Sequence, residues 1–188
     1  MIRAFVAIPL PEGIVAALGQ VQATLPVARV VPAENLHLTV VFLGEVDDAL
    51  LEEVHLAFCA LRAEAFALTL DGLGMFGGAT PRLVHAGLAD SAPLRHLHAR
   101  LEQAARSAGV EIAHRRYVPH VTLAYLNPRK TDLPRLERAV AAGAGFRAGP
   151  FTVTGFSLYQ SDLGRHGARY GELAHYPLNA SPNPLDAP

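Results

Sequence analysis

His37-Leu38-Thr39-Val40-Val41-Phe42-Leu43 and His120-Val121-Thr122-Leu123-Ala124-Tyr125-Leu126 align without a gap, and both begin His-apolar-Thr-apolar. Each lies in a run of β-forming residues, Leu36 to Leu43 and Pro119 to Leu126. Alternate residues of a strand share a face. Each copy therefore sends its imidazole and hydroxyl to one side and two aliphatic side chains to the other.

The flanking sequence repeats as well. Phe5 to Leu10 reads as a strand, Glu12 to Thr24 as an amphipathic helix, and the first motif strand follows. Asp47 and Asp48 open a helix running to Leu61, with acidic residues in its first turn. Phe66 to Leu73 alternates as a strand, and a glycine-rich loop, Gly72 to Gly78, holds Met75 and Phe76. From Arg82 the order recurs: a strand at Leu83 to Leu88, a helix at Ala92 to Ser107, the second motif strand, a helix at Leu133 to Ala142, and a strand from Phe151 to Tyr159. In the helix at 92–107, Leu94, Leu97, Leu101 and Ala105 form one apolar stripe.

The order β-α-β(His)-α-β thus appears twice and predicts an internal duplication, residues 3–76 and 82–160. The expected fold is α+β: two pseudo-symmetric lobes, each a mostly antiparallel sheet with helices on its outer face, and an active-site cleft between the sheets. Residues 1–178 make one bilobal domain, with a last strand at Tyr170 to Leu178, and residues 179–188 a frayed tail. A pseudo-twofold axis between the lobes brings His37 and His120 together.

Composition narrows the function. The 188 residues carry a net charge of −1, which supplies no basic field for holding long duplex nucleic acid. Lys130 is the only lysine, so positive charge is almost all guanidinium, suited to bidentate phosphate contacts. The single cysteine, Cys59, excludes an internal disulfide and any cysteine metal cluster, and reads as buried filler in an apolar helix. With no long apolar run and no cleavable leader pattern, no membrane association and a cytoplasmic location are expected.

Histidine exchanges protons near neutrality, its ordinary pKa being about 6.5. Phosphodiester cleavage by acid–base catalysis needs one group to deprotonate the nucleophile and another to protonate the leaving oxygen, on opposite sides of phosphorus. His37 and His120, related by a twofold axis, supply that pair. Thr39 and Thr122 can donate their hydroxyls to non-bridging phosphate oxygens. Neither a metal nor another cofactor is expected.

Among other residues, Arg115 and Arg116 precede the second motif, and alternation puts Arg116 on the histidine face. Strand parity puts Phe42 and Tyr125 opposite the histidines, hence in the core. Phe76, in the glycine-rich loop, is free to stack on a base. His96 and His98 fall two apart on a helix and point away from one another, so they read as no metal pair. His55, His114, His166 and His175 read as surface or packing residues, and His85 sits mid-strand.

The paired His-x-Thr-x strands resemble the 2H phosphoesterase superfamily. The wider text resembles its RNA 2′,3′-cyclic phosphodiesterase (2′–5′ RNA ligase) branch. The matching stretches include Arg3-Ala-Phe-Val-Ala-Ile-Pro-Leu-Pro11, Asn35-Leu-His-Leu-Thr-Val-Val-Phe-Leu-Gly44 and Asp71-Gly-Leu-Gly-Met-Phe76. They continue with Pro81-Arg-Leu-Val-His-Ala-Gly-Leu88, Pro119-His-Val-Thr-Leu-Ala124, Phe156-Ser-Leu-Tyr-Gln-Ser161 and Leu173-Ala-His-Tyr-Pro-Leu178. The resemblance implies hydrolysis of an RNA-terminal 2′,3′-cyclic phosphate to a 2′-phosphomonoester, and a weak reverse 2′–5′ joining of RNA ends. By the same resemblance His37 is the proton donor, His120 the proton acceptor, and Thr39 and Thr122 bind phosphate. The motifs are nearly symmetric, so the residues themselves do not distinguish donor from acceptor.

Two departures bear on substrate preference. Relatives often carry arginine at Tyr125, a contact that Arg115, Arg116 or Arg129 would have to supply, and tryptophan at His85. The expected partners are RNA ends bearing 2′,3′-cyclic phosphate, or related nucleotides, for a monomer with no obligate protein partner. The alternatives are a small-molecule cyclic phosphodiesterase, such as one opening ADP-ribose cyclic phosphate, and a non-catalytic RNA- or nucleotide-binding module.

Overall fold

A computed structural model describes residues 1–114, 116–164 and 167–180. Among them run eight strands and four α-helices: β1 (Ile2–Pro9), α1 (Glu12–Thr24), β2 (His37–Val46), α2 (Asp48–Cys59), β3 (Phe66–Phe76), β4 (Leu83–Leu88), α3 (Ala92–Ser107), β5 (His120–Tyr125), α4 (Leu133–Ala142), β6 (Arg147–Val153), β7 (Gly155–Gly164) and β8 (Gly167–Pro177). The class is α+β, and each sheet pairing is antiparallel.

In place of two separate sheets, the strands form one, ordered β6-β3-β4-β5-β2-β1-β7-β8. Its two four-stranded halves join where β2 meets β5, at the register pair Leu38–Val121. The third strands change places relative to the sequence repeat. β3, which follows the first motif, pairs with β4, whereas β7 pairs with β1. The expected strand Phe151 to Tyr159 is two strands, β6 and β7, lying in opposite halves. The β-forming residues on either side of Thr154 conceal this crossover, because periodicity carries no information about which neighbour a strand pairs with.

The helices form because caps and stripes agree. Asp47 caps α2 by accepting from Leu50 N–H at 2.8 Å, Ser91 caps α3 through Leu94 N–H at 3.3 Å, and Asp132 caps α4 through Arg135 N–H at 3.1 Å. Leu94, Leu97, Leu101 and Ala105 are all buried, as the stripe predicts. They join a continuous core with Leu38, Val40, Val121 and Leu123 from the two motif strands. α1 packs against β5 and β6, and α3 against β2, so these two helices cover the sheet half that their own preceding strand does not occupy, whereas α2, against β8, and α4, against β3, stay on their own half.

Three local expectations change. Cys59 is exposed, because the core stripe of α2 runs through Val54 and Phe58 and the next residue turns away from it. Gly72 to Phe76 is strand, not loop: β3 continues to Phe76, and the turn begins at Gly77. Asn179 is tied down, donating to Ala63 O and accepting from Ala65 N–H at 2.8 Å each. The rest of the expected tail, from residue 181 on, lies outside the described residues, as do Arg115 and His166. No helix among the described residues is long and apolar enough to cross a membrane.

Candidate active site

A cleft of about 930 Å³ opens along the seam between the two halves, and His37, Thr39, His120 and Thr122 all line it. Each histidine is fixed the same way. His37 Nδ1–H donates to Asn35 O, and His120 Nδ1–H donates to Val118 O, both at 2.8 Å and both to the residue two positions upstream. That contact assigns the Nδ1–H tautomer and leaves Nε2 free for chemistry. Local sequence builds both acceptors. Asn35 ends a 3₁₀ turn, Ala33–Asn35, and its side-chain amide is anchored to Ala168 O at 2.9 Å. Pro119 holds Val118 extended, presenting its carbonyl to His120.

Around the two imidazoles the halves differ. His37 stands among Phe5, Tyr159 and Tyr170, with ring centroids at 5.0, 6.5 and 5.1 Å. His120 meets the edge of Phe76 at 4.8 Å and a second imidazole, His85, at 5.4 Å. Phe76 stacks on His85 at 4.1 Å. His85 lies so close over Gly74 that a Cβ there would come to 2.8 Å from Nε2 and force the imidazole to shift. The buried His85 Nδ1 has no hydrogen-bond partner.

Burial lowers the pKa of His37, and the charge of His120 adds to the effect. Burial likewise lowers that of His120. His85 is pushed down to about 4, by burial first and by His120 second. The influence of His120 on both neighbours reflects like charges at close range.

Phe42 and Tyr125, expected in the core, line the cleft at 65% and 64% exposure. The cause is a β-bulge in each motif strand. Between β1 and β2, Ala7 faces Thr39 and Val6 faces Val41, leaving Val40 as the extra residue. Between β4 and β5, His85 faces Thr122 and Val84 faces Ala124, leaving Leu123. A bulge of one residue reverses the parity of everything beyond it. The consecutive buried pairs Val40-Val41 and Leu123-Ala124 were the available signal, since two neighbouring aliphatics interrupt strict alternation.

Of the other expected site residues, Arg116 and Phe76 line the cleft, and Arg129 does not: it sits in the exposed turn after β5. Sequence reasoning missed Arg3, Tyr117, Tyr170 and His98, which also line it. Arg3 shares the parity of Phe5 on β1, a usable clue. His98 and Tyr170 carry no local signal, because α3 and β8 are brought to the cleft by packing alone. Tyr117 stacks on His98 at 3.9 Å and donates its hydroxyl to Thr39 O at 3.2 Å.

The sequence profile of the 2′-5′ RNA ligase superfamily matches residues 10–165. The RNA 2′,3′-cyclic phosphodiesterase of Escherichia coli (strain K12) is 34% identical over 183 residues, 94% of this chain and 96% of that protein. The RNA 2′,3′-cyclic phosphodiesterase of Geobacillus stearothermophilus is 29% identical over 187 residues, 95% of this chain, and this chain spans 58% of that relative's length. The crystal structure of E. coli LigT complexed with 3′-AMP matches with a TM-score of 0.78 at 31% identity, over 94% of this chain and 98% of the other.

Proposed function

Because the chain belongs to the 2′-5′ RNA ligase superfamily, we propose that its cleft opens ribose 2′,3′-cyclic phosphates at RNA ends. The observation that carries the reading is the matched pair of histidines, each with Nδ1–H held by a carbonyl two residues upstream. Two identically anchored imidazoles lining one cleft are available as the base and the acid of an in-line displacement at phosphorus.

The step proceeds as follows. Water attacks phosphorus while His120 Nε2 takes its proton. The P–O3′ bond breaks, and His37 Nε2–H gives its proton to O3′. The product is a 2′-phosphomonoester beside a free 3′-hydroxyl. Thr39 and Thr122 hydroxyls donate to the non-bridging oxygens, whose charge grows in the transition state. Phe42 and Tyr125 offer exposed ring faces for the terminal base, a stack worth about 1–3 kcal/mol. Among the described residues, Arg3 and Arg116 are the cleft-lining arginines available to the phosphates. Replacing water by the 5′-hydroxyl of a second strand gives a 2′–5′ linkage by the same proton transfers, which is the joining activity.

Phosphorus NMR of the product from a 2′,3′-cyclic-ended oligonucleotide tests the reading. A single 2′-phosphomonoester resonance is expected. A 3′-phosphomonoester would reverse the choice of leaving oxygen, and tight binding without ring opening would mark a non-catalytic module.

A further inference from the structure

Val40 and Leu123 are equivalent in the repeat, both are buried, and neither has a partner in its β1–β2 or β4–β5 ladder register, whereas the second shift in β1–β2, at Leu43, has no counterpart in β4–β5. An unbonded buried carbonyl is costly. Here each is met by a side chain from the helix of the other repeat. Gln22, on α1, donates Nε2–H to Leu123 O and Val31 O, both at 2.9 Å. His98, on α3, donates Nδ1–H to Val40 O at 2.9 Å, and its Nε2 lies 3.4 Å from Glu102 Oε2. Gln22 is only 8% exposed, one of two buried polar side chains among the described residues.

The segments before the motifs cross in the same reciprocal sense. Val31 N–H donates to Leu123 O at 2.8 Å, and the Tyr117 hydroxyl donates to Thr39 O beside the other bulge. Without these donors a one-residue slip of β2 or β5 would re-pair the freed carbonyl and turn the following aromatic off the cleft face.

We infer that Gln22 and His98 are positioning residues that hold the two bulges and thereby aim Tyr125 and Phe42 into the cleft, each repeat setting the base platform on the other's catalytic strand. The consequence for substrate preference rests on the base-stacking part of the proposed function. The aiming itself does not, and the two are tested separately.

The chain contains no tryptophan, so Phe42→Trp and Tyr125→Trp each create a lone fluorescent reporter on the platform. His98→Leu is expected to lower acrylamide quenching of the reporter at 42, and Gln22→Leu that of the reporter at 125, while His98→Gln, which keeps a donor, restores it. Unchanged quenching in both halves, with the fold verified by circular dichroism, overturns the inference. In the chain without reporters, KM is compared for adenosine 2′,3′-cyclic phosphate and for the baseless methyl riboside 2,3-cyclic phosphate. His98→Leu is expected to raise the first roughly tenfold relative to the second, the scale of one lost stack. Equal losses on both substrates would mean general destabilisation and also overturn it. If Phe42→Ala and Tyr125→Ala leave the two substrates equally good while the quenching shifts, the brace stands and the base-stacking reading fails.

Discussion

His37 and His120 are the residues on which the proposed chemistry turns. Replacing either by Ala should lower kcat by about 10²–10⁴, the usual worth of a positioned acid or base. Far-ultraviolet circular dichroism should be unchanged, since each ring projects into the cleft rather than the core. A variant retaining near-full turnover would break the two-histidine scheme. The pH profile follows from the direction of the shifts. A base works above its pKa and an acid below its own. Hence kcat/KM, which reports the free enzyme, rises through the His120 pKa and falls through that of His37. Burial holds both below 6.5, so the kcat/KM maximum should lie on the acid side of that value. A bound phosphate anion favours imidazolium, so the kcat profile should lie to the alkaline side of the kcat/KM profile. Coincident profiles centred above 6.5 would contradict this.

At the scale of the element, the bulge outweighs the alternation it interrupts. Were Phe42 a core residue, as regular parity has it, Phe42→Ala would cost about 3–5 kcal/mol. Standing 65% exposed, it should cost no more than about 0.5 kcal/mol, a melting shift of roughly 2 °C or less in a domain of this size. Its KM for a cyclic nucleotide should rise about tenfold all the same. Tyr125→Ala should behave alike. Calorimetry and steady-state kinetics on the same variants separate the two cases. A large drop in melting temperature would return these rings to the core.

At the scale of the whole molecule, the seam makes the fold sensitive to acid. The unfolded chain protonates His85 near 6.5 and the folded chain only near 4. The unfolded state therefore binds more protons between those values, so stability present above 6.5 is lost as pH falls toward about 4. His37 and His120 act in the same sense. His85→Phe keeps an aromatic ring against Phe76 and removes one titration, so the fall in melting temperature across that range should become shallower. An unchanged slope would show that His85 is not held neutral. The same lowered histidine pKa values therefore weaken the fold as pH falls below 6.5.

The residues themselves carried the motif pair, the strand–helix order as far as α4, the stripe Leu94-Leu97-Leu101-Ala105 and the limits of α1, α3 and α4, because these depend on local spacing and capping. They also carried the family, through matched stretches along most of the chain. What local spacing does not encode is which strand lies beside which. Only the tertiary structure decided that β3 and β7 exchange halves, that Val40 and Leu123 bulge, and that Phe42, Tyr125 and His98 reach the cleft. The physical reason is that a bulge, like a crossover, is settled by long-range pairing: a buried carbonyl at residue 40 or 123 finds its donor on a distant helix, and the face taken by Phe42 or Tyr125 two residues on follows from it.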